Sequence, residues 1–138
     1  MKYTVDDIDI YIMTHNRADY LMLSIESLLN QSAGVSKITV LDNESTDNTL
    51  SAVERFSSRG VRYIRTKGFL GNFKKAQEIA SGKYVMLFHD DDILHPLYLE
   101  LALQVLNEKD DISLITTRYT EFFDDDFPGM PESIVPDY

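Results

Sequence analysis

Three consecutive acids, Asp90, Asp91 and Asp92, follow the apolar run Val85-Met86-Leu87-Phe88 and the single residue His89. Carboxylates about 4 Å apart repel by roughly 4 kcal/mol at an effective dielectric of about 20, so three in a row need a compensating cation or open solvent. The apolar run reads as a strand buried on both faces. If its extended geometry persists, Asp90 and Asp92 point one way and Asp91 the other, which brings at least one acid over the sheet edge. Hard oxygen donors on a partly open site suit Mg²⁺ or Mn²⁺ carrying a phosphate. The same triplet would also serve as a solvated acidic turn ahead of the helix that Pro96 opens.

Other polar groups recur at comparable positions. Thr14-His15-Asn16-Arg17 follows an apolar stretch, and Asn16 with Arg17 could hold an anion or cap a helix. Asp42-Asn43 offers an acceptor and an amide that could read the edge of a base, and the same pair also forms ordinary turns. Gly68 punctuates a loop before a helix, and Lys74 and Lys75 near that helix's start could meet a diphosphate or form a solvated face. No glycine-rich phosphate cradle follows the first apolar run, which argues against a dehydrogenase or a P-loop enzyme. His15, His89 and His95 are too scattered for a local metal motif, and Glu121 with Asp124–Asp126 reads as a solvated charge run.

The elements that must carry these loops alternate. Ile8–Met13, Lys37–Leu41, Val61–Arg65, Lys83–Phe88 and Ile112–Thr117 read as strands. Helical periods lie between them: Leu21, Ile25, Leu28 and Leu29 mark the first, then Leu50, Val53 and Phe56. Phe73, Ala76 and Ala80 mark the third, with Gly82 as terminator, and Leu99, Ala102, Leu103 and Leu106 the fourth. Residues 1–7 read as a loose lead-in. This βαβ alternation implies an α/β fold, a three-layer α/β/α sandwich with a mainly parallel, Rossmann-like sheet. In such sheets ligands bind beyond the carboxyl ends of the strands, where all four polar loops should gather.

With 138 residues the chain has the length of about one domain, and 43% hydrophobic residues are enough for a core. Residues 1–117 carry the pattern, and 118–138, rich in Pro and Asp, read as an extended tail. The formal charge of −10 argues against nucleic-acid binding. Arg59 to Lys75 nevertheless holds six of the 13 basic residues and no acid, a belt suited to a small anion. No apolar run reaches the roughly 18 residues of a membrane span. The absence of cysteine excludes a thiolate metal site and fits a cytoplasmic location.

Three of these stretches resemble, in order, the motifs of family 2 glycosyltransferases of GT-A fold. Ile12-Met13-Thr14-His15-Asn16-Arg17 is similar to an opening motif that often reads Thr-Tyr-Asn-Arg. Leu41-Asp42-Asn43-Glu44-Ser45-Thr46-Asp47 resembles a second, usually Asp-Asp-Gly-Ser-Thr-Asp. Ala80-Ser81-Gly82-Lys83-Tyr84 through Asp90-Asp91-Asp92 and Pro96 is similar to the strand that delivers a metal-binding Asp-X-Asp. The resemblance covers roughly residues 8–117.

It implies a nucleotide-diphosphate sugar as donor, a divalent metal (Mn²⁺ or Mg²⁺), and transfer to an acceptor glycan or lipid-linked glycan with inversion. Thr14, Asn16 and Arg17 would line the nucleotide pocket, and Asp42 and Asn43 would address base and ribose. Gly68 and Lys74 would lie over ribose and diphosphate. Asp90 would face ribose and phosphate, with Asp91 and Asp92 as metal ligands. Four residues depart from the pattern: His15 for tyrosine, Asn43 for aspartate, Glu44 for glycine, and His89 at the first acid of Asp-X-Asp. The family's acceptor half and catalytic base have no counterpart before Tyr138, so the chain reads as the donor-binding half of a longer enzyme. That enzyme would work in the cytoplasm or at the inner face of the membrane. A metal-dependent α/β phosphohydrolase and a non-catalytic interaction domain are the rival readings.

Overall fold

Four runs rich in Val, Ile and aromatic residues form the strands β1 (Ile8–Thr14), β2 (Lys37–Asn43), β3 (Val61–Thr66) and β4 (Tyr84–His89). The computed structural model describes residues 1–68 and 70–123. All strand pairs are parallel, and the order is β3-β2-β1-β4. The register sets Thr14 beside Asp42, Asn43 beside Thr66 and Met13 beside His89, so every strand exits on the same edge.

The helices are α1 (Ala18–Leu29), α2 (Thr49–Glu54), α3 (Gly71–Ile79) and α4 (Tyr98–Glu108). One face of the sheet carries Ile8, Ile10, Ile12, Ile38, Val40 and Phe88 and packs against α1, α2 and α4 through Leu21, Ile25, Leu28, Val53 and Leu99. The other face packs Tyr11 and Leu41 against Ala76 and Ile79 of α3. Three layers result, as the strand–helix alternation implies. All seven residues of β1 are buried because strands and helices cover it on every side.

Several expectations are corrected. Ile112–Thr117 is not a fifth strand, since no regular secondary structure follows α4 among the described residues. Tyr84 Oη donates to the Ile112 carbonyl at 3.2 Å, but Leu114 is 78% exposed and has no layer to pack on. The fourth strand is therefore an edge and is not buried on both faces. Tyr84, Met86 and Phe88 turn inward, whereas Val85 and Leu87 are 46% and 44% exposed. Leu50 and Phe73 face solvent instead of the core. The fourth helix begins at Tyr98, two residues beyond Pro96, and α3 ends at Ile79, three before Gly82. The lead-in is ordered locally: Thr4 and Asp7 form a capping box around a short 3-10 turn. Asp124–Asp126 and most of the expected tail lie outside the described residues.

One helix holds the acid loop. Ser24, Ser27 and Gln31 form a buried polar stripe along and just beyond α1. Ser24 Oγ lies 2.9 Å from the Asp90 carbonyl and 2.7 Å from that of Asp92. Ser27 Oγ accepts from Leu94 N at 3.1 Å, and Gln31 donates to the His95 carbonyl at 2.8 Å while accepting from Leu99 N at 3.0 Å. Backbone groups between β4 and α4 are thereby satisfied away from water, which fixes the path of residues 90–99.

Candidate functional site

The site is built on β1 and its neighbours. β1 passes to β2 on one side and lies against β4 on the other, so the chain's direction of winding reverses between β1 and β4. In open α/β sheets that crevice is the usual ligand position.

On the β4 side, extended geometry ends at His89, and Asp90 begins a turn. The strand alternation expected across the triplet is lost. Asp90 is buried at 4% exposure, while Asp91 and Asp92 are exposed. Arg17, immediately before α1, crosses the crevice, and its Nη1 lies 2.6 Å from Asp91 Oδ2 and 3.4 Å from Asp90 Oδ1. The charges of Asp90 and then Asp91 raise the guanidinium pKa above its usual value. The carboxyl of Asp92 is pushed up by partial desolvation and then by the charge of Asp91.

On the β2 side, Asp42 is fully buried. Its Oδ1 accepts from Ser45 N at 3.0 Å and from the Ser45 hydroxyl. Its Oδ2 accepts from Tyr63 Oη at 2.5 Å, with Arg65 Nη1 4.0 Å away. The next turn keeps a glycine-like shape without glycine, because Glu44 adopts φ 58°. Asn16, at φ 52°, receives Thr46 N at 2.7 Å and Asp47 N at 3.3 Å on its side-chain oxygen, and its own N–H donates to Ser45 Oγ at 2.8 Å. These bonds splice the β1 and β2 loops into one unit. Asp47 then caps both helices that follow, accepting from Ala18 N at 3.3 Å and Thr49 N at 3.0 Å. Burial alone would raise the Asp47 carboxyl; the bonds from Thr49 and Ala18 overcome it and hold the pKa below its usual value. His15 Nδ1 donates to the Asn43 carbonyl at 2.6 Å.

Two buried polar atoms here have no hydrogen-bond partner among the described residues: Thr14 Oγ1 and Asn43 Oδ1. Such atoms are rare in folded proteins, and at a strand-end edge they point to a ligand or water. Gly71 lies beside Asn43 Oδ1, where a Cβ would stand 3.6 Å from that oxygen, in ordinary contact. Beside it lies an open cleft of about 460 Å³ lined by Arg65, Thr66, Lys67, Gly71, Lys74 and Lys75, together with Glu44 and Glu78. Gly68 stands between β3 and α3 at φ 80°.

The sequence-expected residues thus fall into two groups on one edge. Arg17, Asp90 and Asp91 are in contact, and Asn43 and Lys74 flank or line the cleft; Asn16 and Asp42 belong to the loop unit between them. The cleft itself does not include the acids. Sequence reasoning missed Tyr63, Ser45 and Ser24. Tyr63 and Ser24 sit in ordinary strand and helix patterns and gave no signal, whereas Ser45 sits two residues beyond Asn43 in a loop already marked.

No group of three or more metal-ligating side chains is preassembled among the described residues. Mg²⁺ and Mn²⁺ do not require one, since one or two carboxylates suffice when phosphates and water complete the shell. The half-exposed Asp91 carboxylate, already drawn to a positive charge, fits that role.

The family model for glycosyl transferase family 2 matches residues 9–136. The chain is 30% identical to the chondroitin synthase of Pasteurella multocida over 80% of its own length and 12% of that protein's. Among solved structures, Staphylococcus aureus TarS (residues 1-349) in complex with UDP superposes with a TM-score of 0.66 at 23% identity, over 74% of this chain and 32% of that one. The mannosyltransferase PcManGT of Pyrobaculum calidifontis, in complex with GDP-Man and Mn²⁺, superposes at 0.56 and 22% identity, over 63% and 28%. The chain spans less than half the length of each. Motif order, the parallel four-stranded sheet and the matched residues agree: this chain belongs to glycosyl transferase family 2 and has the GT-A fold.

Proposed function

We propose that this chain is the donor-binding part of an inverting glycosyltransferase that uses a nucleotide-diphosphate sugar. The observation that carries the reading is the convergence of two unlike groups on one sheet edge of a family 2 chain. Uncommitted polar atoms beside a basic cleft suit a nucleotide, and an acid pair at the winding reversal suits a cation with a diphosphate. Asn43 and Thr14 would meet base and ribose, with Asn16 and Asp42 holding their loops in place. Gly68 and Lys74 would border the ribose and diphosphate. Arg17 and Asp90 would face the phosphates, and Asp91, with Asp92 beside it, would hold Mn²⁺ or Mg²⁺. Such an ion supplies charge neutralisation of the departing diphosphate.

In the transfer, an acceptor hydroxyl oxygen forms the new bond to the anomeric carbon as the carbon–phosphate oxygen bond breaks on the opposite face. The acceptor proton passes to a carboxylate base supplied from outside the described residues. A growing glycan or a lipid-linked glycan is the proposed acceptor class, met in the cytoplasm or at the inner face of the membrane. No described helix is long and apolar enough to cross a membrane.

Titration with UDP, TDP, CDP and GDP, each with and without Mn²⁺, tests the donor site by calorimetry and thermal shift. At least one should bind more tightly with metal and raise stability, by about 2.7 kcal/mol at a hundredfold excess over Kd. Failure of all four to bind in Mn²⁺ overturns the reading.

A further inference from the structure

The acids at the end of β4 already hold a positive charge supplied by the chain. Arg17 is the ion-pair partner of both Asp90 and Asp91 among the described residues. The side chains of Arg17 and Asp91 are 50% and 49% exposed, so this contact can open into water at little cost. Asp90 cannot follow, being buried beneath them. The backbone around the pair is fixed: Leu21 N donates to the Arg17 carbonyl at 3.0 Å, and Ser24 holds the loop carbonyls of Asp90 and Asp92. Movement is therefore left to the half-exposed side chains of Arg17 and Asp91.

We propose that Arg17 is a positioning residue that stands in for the divalent cation and releases Asp91 when cation and donor diphosphate arrive together. The inference rests on the donor-site reading above. A guanidinium nitrogen 2.6 Å from Asp91 Oδ2 competes with a metal for the same oxygen, since Mg²⁺–oxygen bonds are only about 2.1 Å long and two positive charges would then nearly touch. A diphosphate offers the guanidinium a more highly charged partner whose oxygens can accept two of its N–H groups. Each ligand therefore removes an obstacle to the other, and such coupling is reciprocal. Bare cation binds weakly, and Asp91 stays paired with Arg17 until the donor is present.

Mn²⁺ binding alone, followed by the electron paramagnetic resonance of the free ion, tests this without turnover. Arg17→Gln should bind Mn²⁺ about fivefold more tightly than wild type, the upper scale for loss of a competing half-exposed ion pair. Arg59→Gln removes the same charge just before β3, at the opposite sheet edge, and should change the affinity by less than about twofold. If circular dichroism shows Arg17→Gln unfolded, Arg17→Lys carries the test, with a gain of about threefold because the more strongly hydrated ammonium leaves the acids for water more readily. Unchanged or weaker Mn²⁺ binding in the folded Arg17 variant, or an equal gain in Arg59→Gln, overturns the proposal. Wild type that binds a nucleotide with Mn²⁺ beside an Arg17 variant with no gain removes the stand-in role alone. Wild type that binds no nucleotide removes the donor reading, and the Mn²⁺ comparison still decides whether Arg17 blocks the acids.

Discussion

Asp42 shows how a single buried acid can shape the loops around a site. Its two oxygens take hydrogen bonds from Ser45 and Tyr63, and its own backbone carbonyl receives Thr66 Oγ1 at 3.3 Å. Burial, and then Asp42 itself, raises the Tyr63 hydroxyl pKa, so the tyrosine remains a donor throughout the neutral range. Tyr63→Phe leaves one carboxylate oxygen with Arg65 4.0 Å away as its remaining ion-pair contact. The expected cost is about 1–3 kcal/mol in urea denaturation, with weaker nucleotide binding as the Asp42–Ser45 turn loosens. A Tyr63→Phe protein as stable as wild type would show that the bond carries little. Asp42 and Asn43 were legible in the sequence because polar residues at a strand end stand out. Tyr63 was not, since alternation tells which face a residue takes and nothing of what it meets there.

At the scale of elements, β4 is fastened at both ends. Ser24 of α1 holds the acid loop at one edge; at the other, Asp9 of β1 accepts from Ser81 N at 2.6 Å and Gly82 N at 2.7 Å, with Lys37 Nζ 3.2 Å away. A Cβ on Gly82 would lie 2.7 Å from the Asp7 carbonyl oxygen, so only glycine admits this approach. Burial alone would raise the Asp9 carboxyl; the two N–H bonds and Lys37 overcome it and bring the pKa to about 2. A carboxyl depressed on folding stabilises above its unfolded pKa, near 3.8, and that contribution fades as pH falls towards 2. Asp9→Asn should therefore destabilise by about 2 kcal/mol at pH 7 and converge on wild type between about pH 4 and 2, measured by denaturation across that range. A gap that persists unchanged at pH 2 would rule the charge out as the cause.

In the sequence Asp9 is only the polar member of an alternating strand, because the sequence does not reveal that the α3–β4 turn folds back onto it. The same blindness produced the misplaced fifth strand. Ile112, Leu114 and Ile115 have strand-like composition, but a strand exists only with a ladder partner, and composition names no partner. The apolar run of β4 likewise looked central although it is an edge. The alternation of four strands and four helices, by contrast, was fully legible, because hydrophobic period reports directly on local geometry.

For the whole molecule, a net charge of −10 opposes compaction while a basic cleft favours anions. Added salt should act oppositely on the two. Raising NaCl from 50 mM to 500 mM is expected to increase thermal stability by roughly 3–5 °C through screening of self-repulsion, and to weaken binding of the proposed nucleoside diphosphate several-fold because Arg65, Lys67 and Lys74 are exposed. Salt-independent nucleotide binding would remove the cleft cations from its capture.

The strand order β3-β2-β1-β4 has one more consequence. Of the groups proposed to meet the donor, Asn43, Gly68 and Lys74 lie on the β2, β3 and α3 side of the sheet, whereas Thr14 and Arg17 belong to the end of β1 and Asp90 and Asp91 to the end of β4. Under the proposed roles, exchanging the segment from Asp42 to Lys75 should alter nucleotide preference only if Ser45, Thr46 and Asp47 are kept, because these residues hold the loop that carries Arg17 to the acids of β4.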